Sequence, residues 1–294
     1  MDDAHIERAV RNVESLGLHV RTGDNIRLRD GNYAGTPLQQ VADFHAMVRD
    51  RDVKAIWCGR GGSGSSLMLP LIDYALVRAN AKVIVGFSDV TALHLAILRR
   101  AGLVTFHGPA AISTFSDYSV AHMRAVFMEP RVPYAIASAP ESVRRGATDP
   151  EFTERTITSG AATGPLVGGN LSVLSALVGT PYGARMAGSI VFLEDVDEAP
   201  YRINRMLTQL VQAGELTRAA GVMFGICAQC RVRDDGPTLT LEETLRDRLE
   251  PLHVPAATGL SFGHAPFNFT LPLGIRARFD AAERTLTLLE PAVV

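Results

Sequence analysis

Val53-Lys54-Ala55-Ile56-Trp57-Cys58-Gly59-Arg60-Gly61-Gly62-Ser63-Gly64 is the stretch that decides the fold. Its first half is a short apolar run with the β-branched and aromatic content of a buried strand. Its second half holds four glycines in six residues, which makes a turn and not a helix. Working outward, residues 67–79 have helical spacing, 82–87 form a second apolar strand, and 90–100 a second helix. Upstream, 6–16 and 38–48 repeat the helical pattern, the first ending at Gly17 as a C-terminal cap. Strand, helix, strand and helix joined by short connections predict an α/β architecture with a parallel sheet.

The periodicity fades over 129–163, where Pro130, Pro133, Pro140, Gly146 and Pro150 interrupt it. The organisation expected is therefore an N-terminal α/β domain over 1–128, a linker over 129–163 and a second domain over 164–294. The second part reads as a smaller mixed or β-rich unit: strands at 188–194 and 221–228, a helix at 202–213, and closing strands at 271–279 and 284–289.

Bulk properties narrow the function. The chain has 294 residues, 47% hydrophobic and 20% charged, with a formal net charge of -2. That is a globular balance with no basic footprint for nucleic acid, since basic runs stop at pairs such as Arg144-Arg145. Met1-Asp2-Asp3 is acidic where a secretory leader is basic, and no apolar run reaches the roughly 20 residues of a spanning helix. Three cysteines, an odd number in a chain too large to need staples, fit a reducing cytoplasm. The expectation is a cytoplasmic protein without nucleic-acid or membrane partners.

Several segments can carry chemistry. Gly59, Gly61 and Gly64 satisfy G-x-G-x-x-G between a strand and a helix, the layout of a dinucleotide turn. Arg60 inside the turn speaks against that reading, and close approach of backbone to a ligand or oxyanion accounts for the glycines as well. In Gly86-Phe87-Ser88-Asp89-Val90-Thr91 a strand ends and a helix begins, a turn that exposes a serine hydroxyl at the carboxyl edge of the sheet. From these residues alone, the reading of Ser88 or Asp89 as the helix N-cap is the favoured one. Glu194-Asp195-Val196-Asp197-Glu198 places four acids after a strand, either to orient a histidine or as a solvated loop. His264, between Gly263 and Ala265-Pro266, is a candidate base. Cys227-Ala228-Gln229-Cys230 has C-x-x-C spacing without a second pair, so the cysteines read as packing at a strand end, and neither metal nor cofactor is expected.

Taken in order, the short blocks resemble the LD-carboxypeptidase family of serine peptidases, which includes murein tetrapeptide carboxypeptidases and microcin C self-immunity proteins. The blocks are Tyr33-Ala34-Gly35-Thr36, Arg60-Gly61-Gly62, Leu69-Pro70-Leu71-Ile72-Asp73, Gly86-Phe87-Ser88-Asp89, Phe106-His107-Gly108-Pro109, Gly168-Gly169-Asn170-Leu171, Gly179-Thr180-Pro181-Tyr182, Leu193-Glu194-Asp195, Pro200-Tyr201-Arg202 and Gly263-His264. The resemblance implies a flavodoxin-like or amidotransferase-like N-terminal domain, a β-barrel-like C-terminal domain and a homodimer. It assigns Ser88 as nucleophile, Glu194 as the residue that orients the histidine and His264 as base. The oxyanion donors expected are the N–H groups of Asp89 and Gly62. Arg60 is the candidate reader of a terminal carboxylate, while Arg202 is expected to pair with the acidic loop.

Two departures accompany the resemblance. Ser63 stands where the family carries an aromatic residue, and an opening strand with a Gly-Asp turn is missing before the helix near Ile6, so the sheet is expected to be one strand short unless translation starts upstream. The activity implied is release of a terminal D-alanine from murein tetrapeptide. The alternatives are detoxification of peptidyl or aminoacyl adenylates and, in a different class, a dinucleotide-binding oxidoreductase.

Overall fold

The computed structural model describes residues 1–233 and 237–293. Helix α1 (Asp3–Glu14) is capped by the Asp2 carboxylate, and α2 (Pro37–Arg49) opens on a capping box between Thr36 and Gln39 with Pro37 in its first turn. They lead into β1 (Ala55–Trp57), α3 (Ser65–Met68), α4 (Tyr74–Ala79), β2 (Val83–Gly86), α5 (Thr91–Ala101) and β3 (Thr105–His107). One helix was expected over 67–79, but the chain breaks there. Pro70 lacks the N–H that would continue α3, and the Asp73 side chain caps α4 as a new start.

The later elements are α6 (Asp117–Met123), β4 (Tyr134–Ile136), α7 (Pro140–Gly146), β5 (Arg155–Thr158), β6 (Ala161–Asn170), α8 (Leu171–Ala176), β7 (Ile190–Glu194), α9 (Pro200–Gln212), β8 (Gly221–Ile226), α10 (Leu241–Leu249), β9 (Ala256–Gly263), β10 (Leu271–Leu273), β11 (Arg276–Asp280) and β12 (Thr285–Leu288). Two sheets result. The smaller has the order β1-β2-β3-β10, parallel except for β10, which comes from the C-terminal half and pairs antiparallel with β3. The larger has the order β4-β12-β11-β6-β7-β8-β9-β5. Strand β6 joins its two characters: residues 161–165 pair antiparallel with β11, and 166–170 pair parallel with β7.

The α/β class with two sheets is therefore as expected, whereas the finer descriptions are not met. The larger sheet is open, with β4 and β5 as separate edges, so it does not close into a barrel. The smaller sheet runs its parallel strands in simple sequential order, without the reversal that defines a flavodoxin-like switch point. Residues 129–163 are more than a connection, because β4 and β5 form the two edges of the large sheet. Strand β1 is the outer strand of the small sheet. It is flanked by an apolar groove of about 510 Å3 whose lining includes Ile6, Val13, Ile56 and Trp57.

The parallel strands β7 to β9 are almost wholly buried, as near-continuous apolar runs such as Ile190-Val191-Phe192-Leu193 require. Helix α5 is buried from Thr91 to Ile97, so it is wedged between the halves; there the Thr91 hydroxyl accepts a hydrogen bond from the Asn170 N–H. Asn268 N–H donates to Ser119 Oγ, and Ser261 exchanges bonds with Ser138 and Ala139. The Thr91–Asn170 bond and the β10 pairing join the two halves, while the Ser261 bonds tie β9 to the segment after β4 within the large sheet. Among the described residues no helix is long and apolar enough to cross a membrane.

Candidate active site

Three strand ends converge. Ser88 follows β2, Glu194 is the last residue of β7, and His264 follows β9, each at the carboxyl end of a parallel strand, where α/β proteins place their ligands. His264 Nε2 lies 3.0 Å from Ser88 Oγ, and His264 Nδ1 lies 2.7 Å from Glu194 Oε2. Residues separated by 176 and 70 positions thus form one hydrogen-bonded line.

Local backbone explains how each side chain is aimed. Ser88 has φ +63°, a left-handed conformation that a non-glycine residue adopts only under constraint, and it turns the hydroxyl out of the sheet edge. Its side chain caps no helix, so the reading of Ser88 as a helix cap fails. Gly61 packs directly on this turn: a Cβ there would sit 2.8 Å from Ser88 Cβ and 3.0 Å from its Oγ. Gly263 combines φ +107° with close approach, since a Cβ would come within 2.9 Å of Glu194 Cβ and Oε2. A side chain just before His264 would push the carboxylate off the imidazole.

The Asp89 carboxylate does not cap its own helix either. Oδ2 accepts from the N–H of Ser65 at 2.9 Å and from its hydroxyl at 2.7 Å, tying the serine turn to the start of α3 across the glycine turn. This overturns the dinucleotide reading of Gly59–Gly64. The N–H that would bind a pyrophosphate is already held by a carboxylate, α3 is a single turn, and Gly61 is committed to Ser88.

The acidic segment is also more than a solvated loop. Beside Glu194, Asp195 accepts from Asn170 Nδ2, from the N–H and hydroxyl of Ser172, and from the Val196 N–H. Asp197 pairs with Arg233, and Glu198 pairs with Arg202 at 2.8 Å, the structural role expected for that arginine. Asn170 and Asp195 were not singled out from the sequence as site residues, although the blocks Gly168-Gly169-Asn170-Leu171 and Leu193-Glu194-Asp195 contain them.

Glu194 is fully buried. Burial by itself pushes the His264 imidazole down, but the hydrogen bond to Glu194 and the charges of Glu194 and Asp195 outweigh it, and the pKa is raised above its ordinary 6.5. The net effect favours an imidazolium beside a carboxylate, the state a base reaches after taking a proton. Cys58 is a thiol, pushed up to about 12 by burial and by Asp89. Cys227 and Cys230, read from the sequence as packing residues, are joined in a disulfide just after β8, and both are buried.

A cleft of about 510 Å3 opens beside the serine turn, with Arg29, Tyr33, Arg60, Gly61, Gly62 and Asp89 in its wall. Arg60 is exposed, its Nε donating to Gly61 O at 3.3 Å, and Gly62 lies one residue further along the turn. Ser63, in the place of the family's aromatic residue, accepts from Asn32 Nδ2 at 3.2 Å.

A serine, a histidine and a carboxylate in this geometry define a serine-hydrolase type of site on an α/β scaffold. Comparison with known proteins gives the same class. The LD-carboxypeptidase N-terminal domain matches residues 1–108 and the LD-carboxypeptidase C-terminal domain matches 163–279. The chain belongs to the LD-carboxypeptidase family and is a serine-type carboxypeptidase.

It is 35% identical over 292 residues to the probable murein peptide carboxypeptidase of Bacillus subtilis, covering 98% of this chain and 88% of that one. The crystal structure of muramoyltetrapeptide carboxypeptidase from Oxalobacter formigenes superposes with a TM-score of 0.83 at 26% identity, covering 99% of this chain and 96% of that one. The wild-type apo structure of microcin C7 self-immunity protein has a TM-score of 0.85 at 24% identity, covering 99% and 92%, and shares the fold.

Proposed function

We propose that this protein hydrolyses the bond between an L-configured centre and a terminal D-alanine of murein tetrapeptide, with Ser88, His264 and Glu194 as a catalytic triad. The observation that carries the reading is the unbroken line from Ser88 Oγ through His264, at 3.0 and 2.7 Å, to a fully buried carboxylate. Ser88 Oγ attacks the scissile carbonyl while His264 Nε2 takes its proton. The tetrahedral intermediate collapses to an acyl-enzyme as His264 returns that proton to the leaving D-alanine nitrogen. Water, deprotonated by His264 Nε2, attacks the acyl carbon, and as the ester bond breaks the imidazolium returns that proton to Ser88 Oγ and the shortened peptide leaves. Glu194 holds Nδ1–H and offsets the imidazolium charge at each transfer.

The developing oxyanion is assigned to the N–H groups of Asp89 and Gly62, one on each of the two turns that the Asp89–Ser65 bonds hold together. Arg60, on the cleft wall, is assigned to the free carboxylate of the substrate. The murein substrate is preferred because the Bacillus subtilis relative is named for a murein peptide at 35% identity, whereas the microcin C7 neighbour, at 24%, lends only the fold. Work on peptide returned from the wall is proposed to run in the cytoplasm, in a homodimer.

The test is incubation with purified murein tetrapeptide followed by mass spectrometry. Loss of one alanine supports the reading. An intact tetrapeptide, with turnover of a peptidyl adenylate instead, would replace the murein assignment by detoxification.

A further inference from the structure

His107, the last residue of β3, is fully buried, and neither of its ring nitrogens has a hydrogen-bond partner in the protein. Its surroundings are specific. The ring packs at 6.1 Å from Phe87, at 5.3 Å from Phe192 and at 6.5 Å from Phe262. Phe87 immediately precedes Ser88, Phe192 is two residues before Glu194, and Phe262 is two before His264. One imidazole therefore touches the strand end that delivers each of the three reacting side chains. Phe87 also lies 4.8 Å from the His264 ring, so it is shared between the two histidines.

Packing alone does not call for a histidine here. A phenylalanine would fill the same space among aromatic rings without the desolvation penalty of two polar nitrogens. A buried imidazole has one N–H to donate and one nitrogen to accept with. Glu194 supplies the matching need. Its Oε2 is held by His264, while Oε1, equally buried, has no protein partner. Residues two apart on a strand leave the same face, so Phe192 and Glu194 both point to the side where the His107 ring sits.

His94, the other buried histidine nearby, bonds Gly86 O through Nε2 at 2.9 Å, which leaves Nδ1 as an acceptor unable to serve a carboxylate. Thr270, whose buried hydroxyl is also unpartnered, lies against Gly108 next in the chain. The titratable groups that act on the ring are His94 and His264, and the Glu194 carboxylate stands two residues beyond Phe192 on β7. Burial, then the two neighbouring histidines, keep His107 neutral well below its ordinary range.

We propose that His107 is a positioning residue: its neutral imidazole donates, through one bound water, to the Glu194 oxygen that His264 leaves free, and so fixes the carboxylate that orients the base. The inference rests on the triad reading above and deepens it by one residue.

The experiment compares His107→Phe, which keeps the ring and deletes both nitrogens, with His107→Gln, which keeps a donor. His107→Phe is expected to lower kcat by about 10–100-fold with KM within about twofold, as for loss of one hydrogen bond to a charged group. Its kcat/KM acid limb should move upward, because a carboxylate without that donor holds the His264 imidazolium more tightly. His107→Gln should recover much of the lost rate and return the limb toward the parent. Parent kcat and an unmoved limb in His107→Phe overturn the proposal, as does equal loss in both variants at parent melting temperature.

If His107→Phe fails to fold, ring-nitrogen NMR of the parent chain decides. One protonated His107 nitrogen from about pH 5 to 9, displaced on Glu194→Gln, supports the bond, and an unmoved resonance overturns it. That readout needs no substrate, so a parent enzyme that released no alanine would sink the proposed function and leave this inference standing.

Discussion

Replacing Gly61 by alanine adds one methyl group at the most crowded point beside the nucleophile. The φ of Gly61 lies outside the left-handed region, so the backbone accepts alanine and the effect is steric. The new Cβ would lie 2.8 Å from Ser88 Cβ, 3.0 Å from Oγ and 3.5 Å from the Phe87 carbonyl oxygen. Carbon atoms rest about 3.5–4.0 Å apart, so about 0.7–1.2 Å must be given up. Ser88 is not the free end of a flexible chain, because its Cβ is held by a turn at φ +63°; the glycine turn is tied to the same place through Asp89 and Ser65. The shift therefore falls partly on Oγ. A misplacement on the order of 1 Å at a reacting atom costs roughly 100-fold, whereas overpacking lowers stability by about 1–3 kcal/mol. Gly61→Ala should thus retain its fold and lose about two orders of magnitude in kcat/KM for alanine release. Reaction of Ser88 with a fluorophosphonate, which needs no peptide recognition, should slow in parallel. Parent-like rates in both assays would refute the reasoning, since they would mean that the turn yields without moving the hydroxyl.

Three further outcomes are expected. Ser88→Gly and Ser88→Ala should both abolish turnover, but the glycine variant should melt higher, by up to about 1 kcal/mol, because it relieves the positive φ; equal melting temperatures would argue against strain at the turn. For pH, His264 must be neutral to act as base, and its pKa is raised above 6.5, so kcat/KM should fall as pH drops through that raised value. The stability contribution runs the other way, fully present below about pH 6.5 and lost as pH rises through the folded pKa. Glu194→Gln should lower the acid limb and remove that low-pH stabilisation, which parallel rate and melting profiles would detect. Arg60→Ala should weaken kcat/KM for a free-carboxylate tetrapeptide by roughly 10–200-fold while leaving an amidated analogue unchanged, and equal losses on both would assign Arg60 to holding the turn.

Much of this molecule could be read along the chain. The alternation that begins at Val53 marks strands by short apolar runs, unbroken where both faces are buried as in β7 and β8, and β1, β2, β7 and β8 lie within the stretches so marked. Ser88, Glu194 and His264 were legible only through the ordered set of short blocks that resembles the family; taken singly, the serine reads as a helix cap, the acids as a loop and the histidine as one base candidate. The break at Pro70 was also open to a local reading, since a proline ends a helical hydrogen-bond ladder wherever it falls.

What the chain order left undecided depends on register between segments far apart. Whether the large sheet closes is set by where β4 and β5 lie, and these short strands sit in a proline-broken stretch whose pairing partners, β12 and β9, come more than a hundred residues later. The job of the Asp89 carboxylate, the pairing of Cys227 with Cys230 and the burial of His107 against three strand ends appear only when the two sheets meet. Local propensity is a matter of neighbours in sequence, and so residue types and turns announce themselves. A 3.0 Å contact across 176 residues is a property of how β10, α5 and the Thr91–Asn170 bond dock one sheet on the other, and only the folded structure supplies it.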